Sequence, residues 1–127
     1  MPEWGMLPIP RKLLRQGVRD MVRISDARMS GTSYGACILH VSPEAHIRGP
    51  LAAVCTGDLV SIDAEARSID VHLSEAEISE RLALWKPPDR YPRGYYRMFV
   101  DSIRQAHEGC DFDYLEGRGG IPEPEIH

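Results

Sequence analysis

No apolar run in the 127 residues approaches the roughly 20 needed to span a bilayer. The opening MPEWGMLPIP also lacks the charged-then-apolar pattern of a signal peptide. A membrane span and a secretory route are therefore not expected, and a cytoplasmic location is. Cysteine is scarce: Cys37, Cys55 and Cys110 show neither a CxxC pair nor a histidine at metal-ligand spacing. Cys37 and Cys55 sit in strand-like apolar runs where a small buried side chain suffices, so a cluster or zinc site built on these thiols is not expected. Basic charge is lacking as well. A net charge of -4 and a pI near 5.7 leave no positive field for phosphate backbones, which argues against nucleic-acid binding. Internal repeats and low-complexity tracts are absent.

What is present is ordinary for a globular chain: 43% hydrophobic and 27% charged residues. The length suits one domain, since single cores commonly contain on the order of 100 to 150 residues. Three prolines and a glycine hold residues 1–10 in an extended loop. A short helix fits Arg11 to Gln16, with Gly17 placed to end it. Met21 to Ser25 alternates apolar with polar and reads as a strand, and Ala36 to Val41 reads as a second. Ser42-Pro43-Glu44 opens a short helical turn that Gly49-Pro50 closes. Leu51 to Cys55, Leu59 to Asp63 and Ser68 to Leu73 follow as short strands, with turns at 56–58 and 64–67.

Ser74-Glu75-Ala76-Glu77 matches a capping box ahead of an amphipathic run to Trp85, which Lys86-Pro87-Pro88 stops. A second helical segment is predicted from Gly94 to His107, with Tyr95, Met98, Phe99 and Ile103 as a packing stripe. The organisation expected is thus an active-site loop and short helix (1–20), a β-rich core (21–73), a helical part (74–115) and a mobile tail (116–127). Strands in the first half and helices in the second give an α+β class, expected as a mostly β small barrel flanked by two C-terminal helices.

The chemistry concentrates in Arg23-Ile24-Ser25-Asp26-Ala27-Arg28-Met29-Ser30-Gly31-Thr32, where hydroxyls, a carboxylate and a guanidinium surround a glycine. On spacing alone an ordinary polar turn, capped by its own Ser and Asp side chains, is the simpler reading. Asp26 and Arg28 are expected to pair locally and shape the loop, and His40 to be a structural histidine in or beside a strand. A serine hydrolase using Ser30, His40 and Asp26 has the residue types but lacks a Gly-x-Ser-x-Gly elbow.

Met1 to Gly35, His40-Val41-Ser42-Pro43-Glu44-Ala45, Gly49-Pro50-Leu51-Ala52 and Thr56-Gly57-Asp58 resemble the C-terminal region of the dihydroxy-acid, phosphogluconate and sugar-acid dehydratase family. Arg28 to Thr32 and the run Glu108 to Tyr114 most resemble the branch acting on aldonic acids such as arabinonate and xylonate. The resemblance implies a swivelling β/β/α-like domain and a hydro-lyase that converts a 2,3-dihydroxy acid to a 2-keto-3-deoxy acid. It implies Ser30 as base with Thr32 beside it, and Glu3 of the Met-Pro-Glu segment as a ligand of magnesium (Mg2+). Trp4, Arg28 and Gly31 are implied to contact substrate, with simple anchoring of the loop by a buried ring as the equal alternative for Trp4.

Those residue types suit the chemistry. A proton beside a carboxylate is weakly acidic, so the charge that develops must be held by a metal or oriented donors. A serine hydroxyl acts as base only where positive charge stabilises its alkoxide. In the family an exposed iron of an iron-sulfur cluster serves as Lewis acid toward the departing hydroxyl. The cluster cysteines, further metal ligands and a modified lysine belong, in the family, to a much longer N-terminal domain, so the chain is expected to be a fragment, a truncated reading frame or one piece of a split enzyme, inactive alone. Its implied partners are that domain or full-length subunits and a small sugar acid, with homo-oligomers suggested by the family's own oligomers. Two alternatives stand beside this: a non-catalytic module for small acids or subunit association, favoured by exposed apolar surface, and a dihydroxy-acid dehydratase of branched-chain amino-acid synthesis.

Overall fold

The computed structural model describes residues 3–88 and 91–117. Past the proline-rich opening loop, α1 (Arg11–Arg15) forms one turn. Gly17, at φ 86°, ends it in the left-handed conformation that costs glycine no Cβ strain. Two short strands follow, β1 (Arg23–Ile24) and β2 (Cys37–Ile38), paired in parallel. Parallel pairing requires the intervening chain to cross back, which makes residues 25–36 a long excursion leaving from one strand end.

A 3-10 turn at Ala45–Ile47 and a second at Pro50–Ala53 lead to the hairpin β3 (Val60–Asp63) and β4 (Ser68–Val71). The hairpin is antiparallel, with Val60 opposite Val71 and Asp63 opposite Ser68. Helix α2 (Glu75–Leu84) starts with the full capping box. The Glu77 amide donates to Ser74 Oγ at 3.2 Å, and the Ser74 amide donates to Glu77 Oε2 at 2.8 Å. Hydrogen bonds from the Ser74 hydroxyl and amide also hold the Glu77 carboxyl below its ordinary range. Helix α3 (Tyr95–Ser102) is followed by 3-10 turns at Ala106–Glu108 and Asp113–Leu115.

The α+β class holds, but three details of the expected layout do not. Among the described residues the strands form two separate two-stranded sheets, with no closed barrel. Where a strand is expected from Leu51 to Cys55, the chain forms the 3-10 turn Pro50–Ala53 and no strand. Gly49-Pro50 presets helical φ at its start, and the small Ala52 and Ala53 let it seat against α2. The segment from Gly94 to His107 is helical only to Ser102. Ile103 turns extended to bridge Phe112, Arg104 N–H bonds Asp111 C=O at 2.8 Å, and Gln105 is drawn to Glu44. The tail at 116–127 lies outside the described residues beyond Gly117.

Little of the apolar content is buried. Ile9, Ala27 and Ala53 are the buried hydrophobic residues among those described, and no large side chain is fully enclosed. The chain exposes 10164 Å² of surface, where a compact 14.3 kDa protein exposes roughly 6,800 Å². The packing stripe of α3 illustrates this. Phe99 meets Phe112 edge to face, with ring centroids 5.8 Å apart, while Tyr95 and Met98 stay exposed. Cys55, expected in a buried strand, is exposed in the turn that follows Ala53.

One tertiary tie is well built. Arg81 of α2 reaches both oxygens of Asp58, at 2.5 and 3.3 Å, and the Ala53 carbonyl at 3.0 Å, while Asp58 Oδ2 accepts the Cys55 amide. The guanidinium holds the Asp58 carboxyl below its ordinary range, and the carboxylate in turn raises Arg81. The Thr56-Gly57-Asp58 turn is thereby fastened to α2.

Candidate active site

The opening loop and the loop after β1 lie side by side. The Trp4 amide donates to the Arg28 carbonyl at 2.8 Å, and the Gly31 amide donates to the Gly5 carbonyl at 2.7 Å. Between these rungs Glu3 folds its carboxylate over both loops. Oε1 accepts the Gly5 amide at 2.7 Å and the Ser30 amide at 2.9 Å. Hydrogen bonding from the Ser30 hydroxyl, then from the Gly5 and Ser30 amides, holds the Glu3 carboxyl below its ordinary range, with a smaller contribution from the Arg28 charge. Two residues 27 apart in sequence are thus joined at one carboxylate.

Gly31 explains why the loops come so close. A Cβ there would stand 2.4 Å from Met6 Cγ and 2.8 Å from the Gly5 carbonyl oxygen. The glycine is needed for loop contact, so its place in the site is as a spacer against Met6 and Gly5. No composition signal distinguishes this from an ordinary turn glycine; only the partner loop reveals it.

The expected Asp26–Arg28 pair does not form. Asp26 Oδ2 instead accepts the Ala45 amide at 2.7 Å, because the backbone of the 42–45 loop approaches it from across the fold. Arg28 keeps a buried Nε without a partner, and its guanidinium makes no ion pair among the described residues. The Arg28 charge contributes to keeping the Glu3 carboxyl ionised. Thr32 is exposed one residue past Gly31 and makes no hydrogen bond among the described residues. Ser30 itself is exposed.

Trp4 is not anchored by burial: it is 64% exposed. With Leu7, Ile24 and Ala27 it lines an open groove of about 530 Å³, edged by Arg23, Ser25 and Asp26. Glu3, Ser30 and Thr32 do not line that groove. Arg23 is occupied structurally, donating to the carbonyls of Met21 and Tyr34 and to Cys37 Sγ. His40 stands just past β2 with φ 58°, its amide on the Ala27 carbonyl, and it is not hydrogen-bonded to Ser30 or Asp26.

Glu3 fits one position of a magnesium shell, since it is a hard carboxylate kept ionised at the surface of a loop. Among the described residues no three His, Cys, Asp or Glu side chains gather as a metal cage. The remaining ligands of an ion at Glu3 would be water, substrate or groups outside this chain. Cys37, Cys55 and Cys110 form no disulfide with one another and lie far apart in sequence. No described helix is long and apolar enough to cross a membrane.

Residues 1–110 match the family of the dihydroxy-acid/6-phosphogluconate dehydratase C-terminal region. A 6-deoxy-6-sulfo-D-gluconate dehydratase of Pseudomonas putida is 50% identical over 100% of this chain and 22% of its own length. An L-arabonate dehydratase of Azospirillum brasilense is 47% identical over 98% of the chain and 22% of its own length. A dihydroxy-acid dehydratase of Archaeoglobus fulgidus is 44% identical over 74% of the chain and 17% of its own length. The chain thus spans about a fifth of the length of these curated relatives. It belongs to the dihydroxy-acid and sugar-acid dehydratase family, as that family's C-terminal domain.

Proposed function

We propose that the chain supplies the C-terminal half of a hydro-lyase site that dehydrates an aldonic acid to a 2-keto-3-deoxy acid. The observation that carries the reading is the shared carboxylate, with Glu3 Oε1 accepting amides from Gly5 and Ser30. It fixes the proposed metal ligand and the proposed base within one hydrogen bond of each other, as proton abstraction beside a metal-held carboxylate requires. The relatives named for sulfogluconate and arabonate favour the sugar-acid class.

In this reading Ser30 Oγ takes the proton from C2 of the substrate, and the terminal nitrogens of the Arg28 guanidinium face the substrate carboxylate. Trp4, next to Glu3 in the chain, would meet the substrate from the adjoining groove, and Thr32, close to Gly31, would reach a substrate hydroxyl. Loss of the C3 hydroxyl leaves an enol that becomes the keto acid. Magnesium at Glu3 would hold the negative charge developing near C1 and C2, and an iron-sulfur cluster from outside this chain would draw off the hydroxide. A bare Glu3 carboxylate accepting the Ser30 hydroxyl disfavours the alkoxide, so a cation at Glu3 is what would make Ser30 basic. The exposed apolar surface supports a partner, an N-terminal dehydratase domain, against which the site is completed.

The test is keto-acid formation from arabinonate and xylonate, under anaerobic conditions with magnesium, by the chain joined to a cluster-loaded N-terminal domain. Ser30→Ala is expected to lower kcat by about 10²- to 10⁴-fold, the usual contribution of a general base. An unchanged kcat in Ser30→Ala would remove Ser30 from the reaction, and turnover of a branched-chain dihydroxy acid alone would reassign the substrate.

A further inference from the structure

Glu44 and Gln105 are the two buried polar side chains among the described residues, and they meet each other. Gln105 Oε1 accepts the Glu44 amide at 2.8 Å, and Gln105 Nε2 lies 3.4 Å from Glu44 Oε1. The next amide along, that of Ala45, donates to Asp26 Oδ2 at 2.7 Å. Two consecutive amides at the start of the 3-10 turn Ala45–Ile47 are therefore satisfied from opposite sides. One acceptor comes from 61 residues downstream and the other from the loop that carries Ser30.

A 3-10 turn has orphan donors at its start, and a buried one must find an acceptor. The Glu44 and Ala45 amides are consecutive, joined only through φ and ψ of Glu44, so the two acceptors pin neighbouring points of one short segment. Release of the Glu44 amide from Gln105 would leave the Ala45–Asp26 bond as the neighbouring restraint on that segment. Backbone bonds tie the same segment to the start of the Ser30 loop, from the Val41 amide to the Ser25 carbonyl at 3.2 Å and from the His40 amide to the Ala27 carbonyl at 3.3 Å. Gly49 passes so close to Pro43 that a Cβ would stand 1.7 Å from its carbonyl oxygen, and Ser42 Oγ meets His107 Nδ1 at 2.6 Å from the same C-terminal turn. Gln105 is itself kept in place, its amide on Glu108 Oε2 at 3.1 Å and its carbonyl accepting the Cys110 amide at 3.2 Å.

The geometry points to Gln105 as a positioning residue for the Ser30 loop, acting through the paired amides of Glu44 and Ala45 and the carboxylate of Asp26. This rests on the dehydratase reading only for its consequence, because the coupling is a property of the fold. It gives the segment after α3 a role beyond packing: the C-terminal turn sets where Ser30 and its loop stand relative to Glu3.

The measurement is the amide spectrum of the 15N-labelled full chain. Gln105→Ala is expected to move the signals of Ser30, Gly31 and Gly5 as well as those of Glu44 and Ala45. Arg97→Ala, which removes the exposed Arg97–Asp101 pair on α3, is expected to leave Ser30 in place. Should Gln105→Ala lose its dispersed spectrum, the Asp26 pair carries the test. Asp26→Ala is expected to displace Ser30, and Asp26→Asn, which keeps an acceptor for Ala45, to restore it. Movement confined to Glu44 and Ala45, or an unmoved Ser30 in Asp26→Ala, would overturn the assignment. These outcomes do not depend on turnover, so an active Ser30→Ala enzyme would sink the dehydratase reading while leaving this network standing, and the reverse holds too.

Discussion

Residues 50–84 and residues 3–49 are held together by different means. In the first stretch the elements themselves are closed locally. Ser74 and Glu77 cap α2 and the hairpin closes through four residues. The long ties from Arg81 to Asp58 and Ala53, across 23 and 28 positions, join elements that are already formed. In the second, the elements are two-residue strands and single turns, and what fixes them comes from far along the chain. Glu3 reaches 27 residues to Ser30, and Gln105 reaches 61 to Glu44. A helix or hairpin scaffold can thus form early on local information, whereas the candidate site exists only once distant loops have met. The site region is accordingly where single backbone changes should do most harm.

Gly49→Ala gives the largest expected effect, because the clash is with the Pro43 carbonyl and backbone cannot swing aside. A loss of more than about 3 kcal/mol in urea unfolding is expected. A loss below 1 kcal/mol would show the 42–49 turn to be loose and the contrast overstated. Gly31→Ala should cost about 1–3 kcal/mol by overpacking and should also part Glu3 from Ser30. Pairing it with Met6→Ala relieves the side-chain clash alone, leaving the Gly5 carbonyl in the way, so only partial recovery is expected.

Ser74→Ala sharpens the comparison from the other side. Loss of the cap should cost about 1 kcal/mol, read by helicity and thermal unfolding, with the Ser30 and Gly5 amide signals unmoved. The smallest effect is that of acid. Glu3 is held below its ordinary range, so its contribution is fully present above about pH 4.3 and is lost as pH falls through the lowered value. The Ser30 and Gly5 amides should therefore titrate together at a pH below that of a free glutamate. Separate midpoints would mean they do not share one carboxylate.

The same contrast explains what could be read in advance. The limits of α1, α2 and the hairpin were legible because capping boxes, terminal glycines and alternation act over a few residues. The strand expected at Leu51 to Cys55 failed because Gly49-Pro50 and the face offered by α2 outweighed a short apolar run. The second helix was drawn too long because nothing local announces that Ile103 will bridge Phe112 or that Gln105 will be captured by Glu44. For the candidate site, Glu3 and Ser30 are put forward by family resemblance and not by spacing, and their meeting at one carboxylate is what the fold adds. Gly31 as a spacer, Asp26 as the acceptor for Ala45 and Gln105 were not legible, since each is defined by a partner in another loop.

The most direct test of the account is anaerobic turnover of arabinonate and xylonate with magnesium, measured for the chain alone and for the chain mixed with a cluster-loaded N-terminal dehydratase domain. Keto acid formed only in the mixture, and abolished by Ser30→Ala, is the predicted result; turnover by the isolated chain, or an active Ser30→Ala mixture, would contradict it.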